Sequence, residues 1–282
     1  MPHAEIHPDQ SVALLKALHI LTRDGKLNQD SRRKLKQVYH LFHFVEPLLQ
    51  QLAKNNPEFM IVDHGAGKSY LGFILVDLYL RRHAPGACVV GIETRPELIE
   101  RSRILADQSG FAQMQFINVS AADSIQSDLL PARVDMVTAL HACNTATDDA
   151  IRFGLAKQAQ FIVLVPCCQA EVARRLSEHK ALSLSRTPLA ELWRHPLHTR
   201  EIGSQITNVL RCLYLEASGY QVTVTELVGW EHSMKNDLIM ARYTGQRKRS
   251  AAERLRALLH EFGLDAMLET RFRLAGPAIE AD

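Results

Sequence analysis

The chain has 282 residues, 46% of them apolar, and its 33 Lys and Arg against 31 Asp and Glu leave a formal charge of +2. That balance excludes a global field driving it onto nucleic acid, so any basic surface has to be local. No apolar run reaches the roughly 20 residues that cross a bilayer, and the start, with His3, Glu5 and His7, lacks a signal-peptide form. Five cysteines without a paired framework fit a reducing compartment, so the expectation is a cytoplasmic protein with no membrane partner. The length suits one large α/β domain with modest additions, or two small domains.

Residues 10–23 predict a short amphipathic helix closed by Asp24 and Gly25. From Ser31 a longer helix carries Leu35, Val38, Leu41, Phe42, Val45 and Leu49 on one face, and Pro47 is expected to kink or restart it. Residues 1–55 thus form an N-terminal helical cap over the cofactor side. Three strand–helix units follow: 59–63 with a helix to about Arg82, 88–93 with 96–109, and 114–119 with a weak helix. Gly110 ends the second helix. A fourth strand at 134–140 leads to a helix near 146–158, and a fifth lies at 161–165. Strands alternating with helices predict a doubly wound, Rossmann-like parallel sheet, whose ligands lie beyond the carboxyl ends of the strands.

Residues 170–219 read as a helical insert, broken near 185–196, part of which is expected to act as a substrate lid. Segments 220–228 and 238–243 alternate apolar and polar residues and predict a closing antiparallel hairpin. The domain spans 56–245, and residues 246–282 form a C-terminal helical extension with a helix at 251–262. The basic residues 247–249 at its head read as a solvated helix start ahead of an RNA contact.

The most informative stretch is VDHGAGKSYLGF at 62–73, followed by VVGIET at 89–94. A strand delivers Asp63, Gly65, Ala66 and Gly67 into a tight turn before a helix, and glycine there admits positive φ and close approach of a ligand. Glu93 then ends the second strand, where an acid holds a ribose diol. Three ligand classes compete. A P-loop needs a first glycine where Val62 stands; a dinucleotide fold needs a third glycine where Ser69 or Tyr70 stands, which disfavours a nicotinamide oxidoreductase. A ligand with a ribose and no phosphate needs only the close approach and the acid, and S-adenosylmethionine meets that description.

These residues resemble the D-x-G-x-G loop and ribose acid of the class I S-adenosylmethionine-dependent methyltransferases. Further segments, LHACNTATDDAI at 140–151, VPCCQAE at 165–171 and EHSMKNDLIMA at 231–241, resemble a narrower branch: the methyltransferase-like 25 group, the glutathione-transferase-C-terminal-domain-containing protein and the Trm13-type transfer-RNA 2′-O-methyltransferases. His141, Cys143, Ala146, Thr147 and Asp148 fall on the first of that branch's segments, and Cys167 and Cys168 on the second. Two departures bear on the acceptor, because the transfer-RNA enzymes carry Lys where this chain has Leu140 and His where it has Gln169. The resemblance implies S-adenosylmethionine as cofactor and RNA as the first candidate acceptor, with a protein or small molecule behind it and no DNA. A non-catalytic module that keeps the fold and recognises RNA or protein is the alternative.

Methyl transfer from a sulfonium asks the protein chiefly to orient and desolvate its substrates, with a base where the acceptor is a hydroxyl or amine. The turn after the fourth strand faces the methyl group in such folds, so His141 is a candidate base or a structural histidine, and Asp148 a catalytic residue or a helix cap. Cys168 and Gln169 are candidates for the acceptor pocket, and Lys235 and Asn236 for reaching back to it. Beside Asp63, Gly65, Ala66, Gly67 and Glu93, the cofactor set includes Thr94 and Leu140, with Ser120 and Ala121 bordering the adenine and Asp123 accepting its amino group. Neighbouring cysteines point apart and lack the usual two-residue spacing, so no metal is expected.

Overall fold

The computed structural model describes residues 5–140, 145–166, 169–178, 188–227 and 237–274. A seven-stranded sheet runs through it in the order β3-β2-β1-β4-β5-β7-β6. Its strands are β1 (Met60–His64), β2 (Cys88–Ile92), β3 (Met114–Ile117), β4 (Met136–Leu140), β5 (Phe161–Val165), β6 (Tyr220–Glu226) and β7 (Asp237–Tyr243). All neighbours pair parallel except β7, which is antiparallel to both β5 and β6 and so forms the expected hairpin. The strand order reverses between β1 and β4, and a crevice opens there at the carboxyl ends of the strands.

Alternate residues of each strand feed two cores. Ile61, Val89, Phe161, Val163 and Val165 join a cluster with the helices α1 (Val12–Ala17), α2 (Gln29–Asn55) and α3 (Tyr70–Leu75). Val62, Val90, Val137, Ile162 and Leu164 join the opposite cluster, covered by α7 (Ala146–Ala156), α8 (Glu171–Glu178), α9 (Pro196–Ala217), α10 (Arg249–Glu261) and α11 (Ala266–Thr270). Two further helices complete the crossovers, α5 (Pro96–Ser109) and the short α6 (Ala121–Gln126), while α4 (Arg81–His83) prolongs α3. Fully burying a side chain such as Phe59, Phe161 or Phe272 stabilises the fold by about 1.5–3 kcal/mol each.

Several local expectations change. The first helix covers only Val12–Ala17, because His19 takes φ 55° and swings Ile20 and Leu21 back into the core. Pro47 lies inside an unbroken α2, whose buried Leu41 and Val45 before it and Leu49 and Leu52 after it hold one face against the sheet. That packing makes residues 29–55 a layer of the main core. The C-terminal extension likewise shares the second core through Leu255, Leu259, Met267 and Phe272. In the insert, α9 buries Leu210, Leu213 and Leu215 and is a core helix, while the 3-10 turn Pro188–Trp193 leaves Leu189 and Leu192 exposed. A π-helical turn, Val76–Leu80, interrupts the helix after β1 and places Asp77 out of water, where its carboxylate accepts the Ser11 N–H at 2.8 Å and pairs with Arg81 at 3.0 Å. Among the described residues no helix is long and apolar enough to cross a membrane.

Candidate functional site

The loop after β1 turns on two glycines in the left-handed region, Gly65 at φ 68° and Gly67 at φ 58°. Ser69 follows at φ 51°, a conformation that L side chains rarely adopt. What holds it is Asp63. That carboxylate is buried, with Gly91 of β2 and Thr138 of β4 as its neighbours across the sheet, and it accepts hydrogen bonds from Thr138 Oγ1 (2.9 Å) and Ser69 Oγ (3.3 Å). Burial pushes its pKa up to about 6 against the opposing pull of the two hydroxyls. Ala66 N–H donates to Ile92 O at 2.9 Å, which ties the loop to β2.

The cradle is shaped by missing side chains. A Cβ on Gly91 would stand 2.9 Å from the Phe116 ring, and one on Gly67 would project into open space with only Arg95 Nη2 within 4 Å, at 3.9 Å. A Cβ on Gly72 would meet Ser69 Oγ at 2.8 Å, Val89 at 3.1 Å and Met114 at 3.2 Å. Gly72 therefore supplies the close helix–sheet approach that sequence spacing looked for at Ser69 or Tyr70.

Glu93 ends β2 against this loop, 6% exposed. Its Oε2 accepts the Gly67 N–H (2.9 Å) and Arg95 Nη2 (3.0 Å); its Oε1 accepts the N–H groups of Thr94 (2.9 Å) and Arg95 (3.1 Å), Thr94 Oγ1 (3.2 Å) and Arg95 Nε (3.0 Å). Burial alone would raise its pKa; the Arg95 fork and the backbone donors outweigh it and hold the carboxylate ionised, with a pKa of about 2. Beyond β3, Ser120 caps α6 by accepting the Asp123 N–H at 3.2 Å and donates its hydroxyl to Asp123 Oδ2 at 2.5 Å, with Ala121 opening the helix beside them. Leu140 ends β4 half-buried, packed against the first core.

On the other half of the crevice, Asp148 lies in the first turn of α7 without capping it. It is instead the buried counter-ion of Arg211 on α9, 2.5 Å from Nε, with the Arg211 side chain fully buried. Arg211 Nη1 donates to Asn208 Oδ1 at 3.3 Å, and the Gln169 amide lies 2.7 Å from Asn208 Oδ1 and 2.8 Å from Arg211 Nη1. Asn208 Nδ2 donates to Asp237 Oδ2 at 2.7 Å, at the start of β7. Each of the three downstream segments that carry the narrower resemblance thus sends one described residue, Asp148, Gln169 or Asp237, to the same pair on α9. Gln169 is 5% exposed and takes part in this network. The other candidates, His141, Cys168, Lys235 and Asn236, and with them Cys143 and Cys167, lie outside the described residues.

Sequence reasoning missed Arg211, Arg95 and His64. Arg211 had a signal, a lone charge between Leu210 and Leu213 in an otherwise apolar stretch of α9. His64 follows Asp63 with its ring on the opposite face of the sheet, tilted against Phe153 at 5.4 Å between centroids, 2% exposed, with neither nitrogen hydrogen-bonded among the described residues. Burial, and then the Arg152 charge, push its pKa down to about 4, so it stays neutral. Among the described residues no group of three or more His, Cys, Asp or Glu is placed to hold a metal.

The glycine cradle, the buried Asp63 and the acid at the end of β2 fit S-adenosylmethionine, since they offer close backbone approach and a diol acceptor without a phosphate site. Comparison with known proteins agrees. The methyltransferase-domain family matches residues 33–175, just over half of the chain. Curated relatives include the glutathione S-transferase C-terminal domain-containing proteins of Homo sapiens (24% identical over 236 residues) and Bos taurus (25%), each alignment covering 77% of this chain and 34% of the relative. The chain thus spans about a third of the length of those relatives. Similar solved structures include the magnesium protoporphyrin IX methyltransferase of Synechocystis PCC 6803 with bound SAH (14% identity, 83% of this chain and 95% of that one, TM-score 0.46). Another is M. capricolum TrmK in complex with SAH (12%, 71% and 70%, TM-score 0.42). By the family match, which spans β1 to β5 and the glycine loop, the chain belongs to the methyltransferase-domain family and carries a class I S-adenosylmethionine-dependent methyltransferase domain.

Proposed function

We propose that this enzyme methylates RNA in the cytoplasm, with neither DNA nor a membrane as partner. The observation that carries the reading is the convergence of Asp148, Gln169 and Asp237 on Asn208 and Arg211. It gives the segments shared with the transfer-RNA enzymes one common anchor beside the cofactor crevice.

S-adenosylmethionine supplies an electrophilic methyl group on a sulfonium. In this reading Gly65, Ala66 and Gly67 let it lie against the backbone, and Glu93 takes the ribose hydroxyls. Leu140, Thr94, Ser120, Ala121 and Asp123 border the rest of it. A carboxylate has about four lone-pair sites, and Glu93 already meets six donors, so a diol binds by displacing the Arg95 fork while the Gly67 N–H stays. His141 is the residue the sequence offers to take the acceptor's proton, with Cys168 a candidate for the acceptor pocket and Lys235 and Asn236 candidates for reaching back to it. Asp148 acts as a positioning residue, tying the first turn of α7 to α9 through Arg211.

Glu93→Ala should weaken cofactor binding by at least tenfold in calorimetry, because one lost charge-assisted hydrogen bond is worth about 1.5–3 kcal/mol; unchanged affinity would sink the cofactor assignment. Labelled methyl donor, incubated with lysate separated into RNA, protein and small-molecule fractions, should mark the RNA. Label in another fraction overturns the acceptor. A second reading, a cofactor-binding module without turnover, is favoured by Leu140 and Gln169, which replace the Lys and His of the transfer-RNA enzymes; it predicts label in no fraction.

A further inference from the structure

A cavity of about 740 Å³ opens at the end of the sheet opposite the cofactor loop. The last turns of α7 (Leu155, Ala156) and α9 (Tyr214, Ala217) line it, with Tyr220 and Tyr243 at paired ends of β6 and β7. Arg247 and Arg273 also line it, and no carboxylate does so among the described residues. Their sequence neighbours Lys248, Arg249 and Arg271 are each committed to a glutamate. The guanidiniums of Arg247 and Arg273, by contrast, make no ion pair or hydrogen bond among the described residues. Two phenols are also committed, Tyr220 donating to Ala159 O at 2.7 Å and Tyr214 to Arg273 O at 3.1 Å. Tyr243 stacks edge-on to Tyr220, with centroids 5.2 Å apart, and remains 48% exposed. Gln158, at φ 51° in the left-handed region, also lines the cavity.

Such a groove offers an aromatic face and two planar forks that have no carboxylate partner among the described residues. Guanidiniums match phosphate oxygens bidentately, and exposed tyrosine faces stack on bases. The negative ends of the α7 and α9 dipoles also border it. A bare anion would feel those ends as repulsive, whereas the amino groups of bases supply donors to them.

We propose that this groove is a second site, which binds a single-stranded stretch of RNA with a base on Tyr243 and phosphates on Arg247 and Arg273. A five-residue strand spans about 16 Å, so a small molecule in the groove cannot also reach the methyl-transfer crevice. A polynucleotide can reach both, and the groove then anchors the acceptor away from the chemistry. This use of the groove rests on the reading of the acceptor as RNA.

The test is fluorescence anisotropy of a short labelled oligoribonucleotide on the full chain, with cofactor calorimetry as the check that each variant is folded. Arg247→Glu/Arg273→Glu should lose at least tenfold in affinity. Its salt dependence should flatten by about 1.4 in log–log slope, two single-strand phosphates at about 0.7 each. Tyr243→Leu should lose about fivefold or more. Cofactor-competent variants that bind the oligonucleotide like the parent, a parent that does not bind it, or polyglutamate competing as well as RNA would each overturn the proposal. Oligonucleotide binding lost in the variants while no RNA is methylated would leave the groove standing and remove the acceptor reading. RNA methylated equally well by parent and variants would do the reverse.

Discussion

The two halves of the crevice are held by different physics. Around β1 and β2 the site is built largely from backbone: positive-φ glycines, the Gly67 N–H given to Glu93, and the Thr94 and Arg95 N–H groups that meet the same acid. Around β4, β5 and β7 it is built from the Asn208–Arg211 pair on α9, to which Asp148, Gln169 and Asp237 come from three places far apart in sequence, the first two reaching Arg211 and the last Asn208. A backbone cradle tolerates side-chain change wherever no Cβ is added. A buried ion network does not, because removing one member leaves another charge without water or partner.

The largest effect should come from breaking that network. Arg211→Met strands the Asp148 carboxylate and should cost about 3–5 kcal/mol in urea unfolding, whereas the double variant Arg211→Met/Asp148→Asn should recover much of it. If the halves are independent, both variants keep the parent's affinity for the cofactor. A parallel loss of cofactor binding would show that the network reaches the glycine loop.

Next in size is a pH effect within the cradle, where Asp63 and His64 titrate in opposite senses. The folded state raises the Asp63 pKa from 3.8 to about 6, so its contribution is present in acid and is lost as pH rises through that interval. It lowers the His64 pKa from 6.5 to about 4, so the unfolded chain takes up that proton first and stability is lost as pH falls from 6.5. Each amounts to roughly 3 kcal/mol at 1.36 kcal/mol per unit, and in the parent they oppose one another. Asp63→Asn should therefore make melting temperature fall more steeply towards acid, and His64→Phe should make it fall as pH rises through about 4–6. Matching profiles in parent and variants would show that neither group is held as its surroundings require.

The smallest effect concerns Arg95, which is 59% exposed at its side chain and so forms a solvent-screened pair with Glu93. Arg95→Ala should tighten cofactor binding by less than about tenfold, because the ribose no longer competes with the fork. Weaker binding would mean that Arg95 stays beside the bound cofactor and contributes to the site.

The sequence by itself determined the strand–helix alternation, the glycine loop, the acid after β2 and the closing hairpin. Each of these is a local matter: a period of apolar residues, a φ that only glycine takes cheaply, an acid at a strand end. Even there, Gly72 took the packing role looked for at Ser69 or Tyr70, and Pro47 failed to break α2 because the buried stripe on both sides of it outweighs one missing hydrogen bond. Only the tertiary structure decided what Asp148 and Gln169 do. Whether a carboxylate serves as base, cap or counter-ion depends on which charge reaches it, and Arg211 arrives from 63 residues away along the chain. The end of the chain joined the core for the same reason, since α11 and Phe272 are short of any local pattern and are fixed by the apolar surface they cover.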